Sequence, residues 1–333
     1  MHDFQQTWPW LHSDWLQLAK TITQQRIPQA LLITGNKGLG KFALAQHFAQ
    51  SLLCFTRDSA ADYCGQCQSC RLFQAETHPD YKIIEPEQAG KSITIAMIRE
   101  LTTQLSLKPQ FESQRVVVIN PADSLNNAAA NAFLKYLEEP TERTTLLLIT
   151  EKPTKLPATI RSRCQKLLIS CPGESVLKAW LEQHNAGKNS ETVMRLSQGS
   201  PLLAKQLSDR AILALRAQCF SDWVSVGCAK TNANELAGQW YKLDRDELAF
   251  LLFWLTSWVM DMITLAYHRQ ALNVYNPDLI EDLQELTEKL DLKSLYKYYD
   301  FLLRSQKTLD TPLNKQLMWE EILIKWTILN NRE

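Results

Sequence analysis

The stretch "LLITGNKGLGKFALAQHF", from Leu31 to Phe48, limits the fold more than any other part of the chain. An apolar run gives way to Gly35, Gly38, Gly40 and Lys41 at the G-x-x-x-x-G-K spacing, and a helix-patterned segment follows at once. Between a strand and a helix, such a loop can cradle phosphates on its backbone N–H groups and on the helix N-terminus, while the lysine reaches the outer oxygens. A dinucleotide-binding loop fits worse, because the G-x-G-x-x-G spacing is missing and a lysine directly follows the last glycine.

Five apolar runs precede Ser170: "ALLIT", "YKIIEP", "RVVVIN", "TTLLLIT" and "KLLIS". They are continuous, not alternating in polarity, as strands are when helices cover both faces of a parallel sheet. Residues 1–170 therefore read as an α/β domain. From Cys171 the strand signals stop. A small helical segment, "ESVLKAWLEQHN" and "SETVMRLSQGSP", closes at Gly199 and Pro201, and after about Asp209 helix follows helix to the end. In the last helix Leu313, Leu317, Ile324 and Ile328 share a face, which reads as core, with a subunit interface as the second reading. "LAFLLFWLTSWVMDMITLAY" has the length of a membrane span, but Asp261 interrupts it and the fully apolar part before Thr256 is short, so a buried helix is expected. The opening "MHDFQQTWPWLHSDW" carries no secretory pattern. The expected location is the cytoplasm, with no membrane partner.

The loop lacks the rest of its chemistry. A working site places Ser or Thr after the lysine, to hold Mg²⁺. Here that residue is Phe42, expected to pack under its helix. An acidic metal ligand should end the strand "RVVVI", with a water-polarising glutamate after it, and these positions are Asn120 and Pro121. Asp123 lies three residues too far on, as an alternative ligand or as the cap of the next helix. With both halves of the magnesium site gone, no hydrolysis is expected from this chain. Two alternatives stay open for the glycines and Lys41: an empty scaffold, or a site that holds ATP or ADP without turning it over.

Four of the eight cysteines, Cys54, Cys64, Cys67 and Cys70, form a C-x9-C-x2-C-x2-C array. Four thiolates this close can close a tetrahedral zinc site, and four protein ligands make the ion structural. His78 in "THPDY" is an alternative ligand, with a turn role beside Pro79 preferred. Cys164, Cys171, Cys219 and Cys228 read as ordinary buried thiols. Lysine plus arginine and aspartate plus glutamate both number 36, and the cysteine module offers only Arg57 and Arg71 against Asp58 and Asp62. A DNA binder working alone is therefore not expected.

After "TTLLLIT" the segment "EKPTKLPATIRSRC" carries Arg161 and Arg163, which read on their own as surface arginines bonded to neighbouring carboxylates. The chain as a whole resembles the delta-prime subunits of the bacterial DNA polymerase III clamp loader, a branch of the AAA+ proteins. The resemblance rests on "PWL", on "QALLITG" with its degenerate loop, on the four cysteines, and on "THPDY", "AAANAFLKYLEEP", "RSRC" and "LSQGSP". It implies three domains: an AAA+ core with the zinc module at about residues 54–70 over 1–170, a helical lid over 171–208 and an oligomerising collar over 209–333.

By the same resemblance the chain sits in a five-subunit ring with motor ATPase subunits and a delta-type subunit. The ring places the sliding clamp on primed DNA as part of a DNA-directed DNA polymerase holoenzyme. Arg163 would be an arginine finger reaching a neighbour's ATP. Thr150 stands at the phosphate-sensing position, and Leu202 replaces the arginine that motor subunits carry after "GS". The competing readings are an active motor ATPase with an unusual site, and a zinc-dependent DNA-binding protein.

Overall fold

The computed structural model describes residues 4–331 except 89, 112–113, 140, 142, 185–189, 269–272 and 309–313. The chain forms two compact units, Met1–Val176 and Leu177–Glu333.

In the first unit the elements run α1 (Phe4–Thr7), α2 (His12–Thr23), β1 (Ala30–Thr34), α3 (Lys41–Leu53), α4 (Gln68–Gln74), β2 (Tyr81–Ile84), α5 (Ile95–Leu105), β3 (Arg115–Ile119), α6 (Asn127–Glu138), β4 (Thr144–Thr150), α7 (Ala158–Arg161) and β5 (Gln165–Leu168). All five strands are parallel, in the order β2-β3-β4-β1-β5. The α/β class expected from the continuous apolar runs is the one observed.

Burial explains which runs carried the signal. β1, β3 and β4 are central and almost wholly buried. On one face Leu32, Val117, Ile119, Leu146 and Leu148 pack with Ile98 and Leu101 of α5 and Phe133 of α6. By strand alternation Leu31, Ile33, Val116, Val118 and Leu147 turn to the opposite face. The expectation that both faces are covered fails at the two edge strands. In β2 none of the four residues is fully buried, and in β5 only Leu167 is, leaving Leu168 67% exposed. Each has a neighbour on one side alone.

The helix α8 (Glu174–Gln183) leads into the second unit, which continues with α9 (Ser190–Leu196), α10 (Pro201–Leu207), α11 (Arg210–Gly227), α12 (Ala233–Trp240), α13 (Arg245–Tyr267), α14 (Ile280–Glu288), α15 (Leu292–Thr308) and α16 (Lys315–Asn330). Tryptophans fill its core. Trp223 and Trp326 stack at 3.9 Å, and the Trp326 indole donates to the Trp223 carbonyl at 2.9 Å. The apolar α13 is a core helix, opened by a capping box between Asp244 and Glu247. Asp261, which interrupts its apolar run, is 1% exposed and accepts from the Tyr275 and Asn276 N–H groups and the Asn276 amide. Burial raises its pKa against those bonds.

Arg216 of α11 extends this network to Asn276 and, through both terminal nitrogens, to Asp278. Thr192 of α9 donates to the same Asp278, and Arg195 to the Val274 carbonyl. Buried polar groups thus tie α9 to α11 and α13.

Two expectations about this unit need correction. Leu317, Ile324 and Ile328 are 60%, 40% and 53% exposed, so their stripe is not core; Leu313 lies outside the described residues. Trp319, Ile322, Leu323 and Trp326 take the inward face of α16 instead, because indoles bury more apolar area than the aliphatic stripe does. Nor are all four solitary cysteines buried. Cys164 and Cys219 are, but Cys171 lies beyond the edge strand β5 and Cys228 caps the end of α11, and both are exposed.

Candidate functional site

The loop of residues 35–40 joins the carboxyl end of β1 to the first turn of α3, and the carboxyl ends of β4 and β5 flank that of β1 in the sheet. Open α/β sheets bind ligands at this end. Gly35, with φ +148, passes so close to the next strand that a Cβ there would sit 2.6 Å from the Ile169 carbonyl oxygen. Gly40, with φ +79, lies against Trp8 and Leu11, and the Trp10 indole donates to the Leu39 carbonyl at 2.9 Å. Aromatic rings from the N-terminal segment therefore close over the loop.

Lys41 does not reach outward. Only 6% exposed, it donates to the Asn36 carbonyl of its own loop at 2.6 Å and lies 3.8 Å from Glu151. Burial lowers its pKa, opposed by the charges of Glu151 and Asp123. Thr150, fully buried, donates to Asp123 at 2.6 Å and accepts from the Lys152 N–H. Asp123 is thus Thr150's partner. The cap of α6 is Asn126, which accepts from the Ala129 N–H, so the capping role expected of Asp123 is not observed. Asn120 turns to Glu85, donating at 3.1 Å, and Pro121 follows it through a cis peptide bond. Phe42 is half-buried, where the sequence suggested enclosure under α3. It lines a cleft of about 1050 Å³ with Trp8, Phe73 and Tyr81.

The four cysteines converge. Their sulfurs all lie within 4.8 Å of one another, with Cys54 3.6 Å from Cys64 and 3.9 Å from Cys67. Sulfurs about 2.3 Å from a tetrahedral zinc stand about 3.8 Å apart, so the donor set fits that ion. Cys54 caps the end of α3 and Cys67 caps the start of α4, accepting from the Cys70 N–H. The Thr56 hydroxyl and the Gln66 and Cys67 N–H groups pull the Cys64 thiol down to about 6, toward the thiolate a metal needs. Burial pushes Cys54 and Cys70 up, a cost that a cation among them would offset.

His78 stands outside this array, buried between the Ser69 hydroxyl at 2.9 Å and the Asp80 N–H at 3.1 Å. Ser69 in turn donates to the Leu53 carbonyl, so Ser69 fastens the module to α3 and His78 braces Ser69. Arg57 donates to the Ser51 and Leu52 carbonyls at the end of α3, which turns one of the module's few cations inward.

Two family models match in succession: "DNA polymerase III, delta subunit" over residues 12–172, and "DNA polymerase III, delta subunit, C terminal" over 211–327. DNA polymerase III subunit delta' of Pseudomonas aeruginosa is 34% identical, with 97% of this chain and 98% of the relative aligned. Its Escherichia coli counterpart is 31% identical over 96% and 94%. The chain belongs to the delta-prime family of DNA polymerase III subunits. Among solved structures, a DNA polymerase III gamma subunit-related protein from Thermotoga maritima overlaps 96% of this chain and 100% of its own, at 17% identity and a TM-score of 0.48. The Bacillus subtilis DNA clamp loader delta protein overlaps 94% and 99%, at 10% and 0.33. At those scores the family assignment rests on the sequence relatives.

In this delta-prime chain Arg161 and Arg163 diverge. Arg161 is half-buried and its Nε finds no hydrogen-bond partner. Arg163, 38% exposed, donates to the Thr159 carbonyl at 3.0 Å and to the Glu138 carboxylate at 2.8 Å. The carboxylate contact is the one expected of any surface arginine. Glu138, Glu151 and the loop-covering Trp8 and Trp10 were not singled out as site residues from the sequence. Glu138 lies in the quoted "YLEEP" and Trp10 in "PWL", but nothing local told what either would touch.

Proposed function

We propose that this chain is a non-hydrolysing member of the clamp-loader ring, which helps place the sliding clamp on primed DNA during replication. It organises the ring and lends Arg163 to the ATP site of a neighbouring motor subunit. The observation that carries this reading is the state of Lys41, buried and bonded to its own loop while Arg163 stands at the surface. Phe42, Asn120, Pro121 and the enclosed lysine together mean that the usual metal, base and lysine positions supply nothing free to neutralise a transferring phosphoryl. The same enclosure disfavours resident ATP or ADP. An active motor with an unusual site would need those groups. A zinc-dependent DNA binder would need a basic face, whereas Arg57 turns inward.

The three-domain division at 170 and 208, a structural zinc on Cys54, Cys64, Cys67 and Cys70, and a cytoplasmic location belong to the same reading. So do a delta-type partner and motor partners in the ring. The exposed stripe Leu317, Ile324 and Ile328 supports a collar role, since these apolar side chains on the outer side of α16 are left uncovered by the described residues.

The test is ATP turnover by the isolated chain and by loaders assembled with and without it. The reading expects no hydrolysis alone, and clamp loading only when the chain is present. Steady hydrolysis by the isolated chain at a motor subunit's rate would overturn it.

A further inference from the structure

We propose that Glu138 is the positioning residue for Arg163: it holds the guanidinium at the surface, ready for a neighbour's nucleotide, and so sets how fast that nucleotide is hydrolysed. The inference rests on reading Arg163 as a finger acting in trans.

Arg163 follows α7, a helix of a single turn, and a free arginine there would have to give up rotamer freedom to engage a phosphate. Two acceptors already restrict it. Thr159, on the same turn, takes one bond through its carbonyl, and this contact follows the turn wherever it goes. Glu138 takes the other and differs in kind, because it ends α6. Ala129, Ala130 and Phe133 anchor that helix in the core against the sheet. The carboxylate therefore refers the guanidinium to the rigid part of the unit.

The pair is suited to guiding without holding back. A guanidinium carries five N–H donors in a fixed fork, so with two committed three remain for a ligand. Both partners are open to solvent, at 38% and 53% exposure, and an exposed ion pair is weak. That is enough to bias a rotamer. It is small beside the attraction of a Mg²⁺-bound triphosphate, whose accumulating charge the finger meets in the transition state. Glu138 itself touches no reacting atom.

The test uses the complete loader, with the other motor sites inactivated so that hydrolysis reports the one site this chain faces. Wild type, Glu138→Ala, Glu138→Gln, Arg163→Ala and the Glu138→Ala/Arg163→Ala double variant are compared after light scattering confirms that each ring assembles. Glu138→Ala should lower kcat about 2- to 5-fold, the size of an exposed pair. KM for ATP should stay unchanged. Glu138→Gln, which keeps an acceptor, should recover part of the loss. In the Arg163→Ala background Glu138→Ala should cost nothing further.

An unchanged or raised kcat for Glu138→Ala, beside a depressed Arg163→Ala, overturns the proposal and leaves the finger reading standing. An equal loss in the Arg163→Ala background overturns it as well, since Glu138 would then act elsewhere. An intact Arg163→Ala ring with unchanged turnover overturns the finger reading and this proposal with it.

Discussion

The phosphate loop and the turn carrying Arg163 belong to one compact unit, yet they have kept opposite things. The loop retains geometry: Gly35 and Gly40 hold positive φ, and the helix starts where a phosphate would want it. Its side-chain chemistry is spent, because Lys41 is bonded to Asn36 and the metal positions hold Phe42, Asn120 and Pro121. The Arg163 turn has no such cradle around it, but its cation is at the surface with donors to spare. A nucleotide motif can therefore persist because the sheet and its covering rings are packed around it, while the charge that acts on phosphate is carried elsewhere in the same unit.

That contrast can be broken or sharpened by substitution. The largest effect is expected at Gly35→Ala, where the new Cβ would collide with the Ile169 carbonyl oxygen at 2.6 Å in a backbone conformation that alanine resists. A loss of about 3 kcal/mol in urea unfolding is the expected outcome. A neutral result would mean the loop is not held by packing. Lys41→Met should cost about 1 kcal/mol, for a lost hydrogen bond to Asn36 partly offset by relief of a buried ammonium. Binding of a fluorescent ATP analogue to the isolated chain should be absent before and after the change; clear binding lost in the variant would restore the loop as a working site. The smallest effect belongs to Phe42→Thr. Returning the hydroxyl should produce no hydrolysis, since Asn120 and Pro121 still supply neither metal ligand nor base. Turnover appearing on this single change would show that the rest of the site had survived.

How much of this was written in the sequence differs by element. The central strands were plain, because burial on both faces erases polarity alternation, and β2 and β5 misled because an edge strand can carry the same apolar letters with one side bare. The cysteine array was legible from spacing alone, since its four donors fall within one short segment. The stripe on α16 was legible only as a stripe. Periodicity tells which residues share a face, and where a helix is apolar on both faces the choice of the inner one depends on what the rest of the fold offers. The Glu138 and Arg163 pair was beyond reach. Twenty-five positions and a central strand separate the two residues, and only the return of the chain past β4 brings them to 2.8 Å.

The most direct measurement compares Arg163→Ala with Lys41→Met in the same reconstituted loader, with assembly confirmed for each. The account predicts that Arg163→Ala lowers hydrolysis at the neighbouring site at least about tenfold, as loss of a finger does. It predicts that Lys41→Met leaves turnover within about twofold of wild type, because its ammonium is taken up by its own loop and Glu151. Loss of turnover on Lys41→Met with Arg163→Ala unaffected would contradict the division of labour between the two regions.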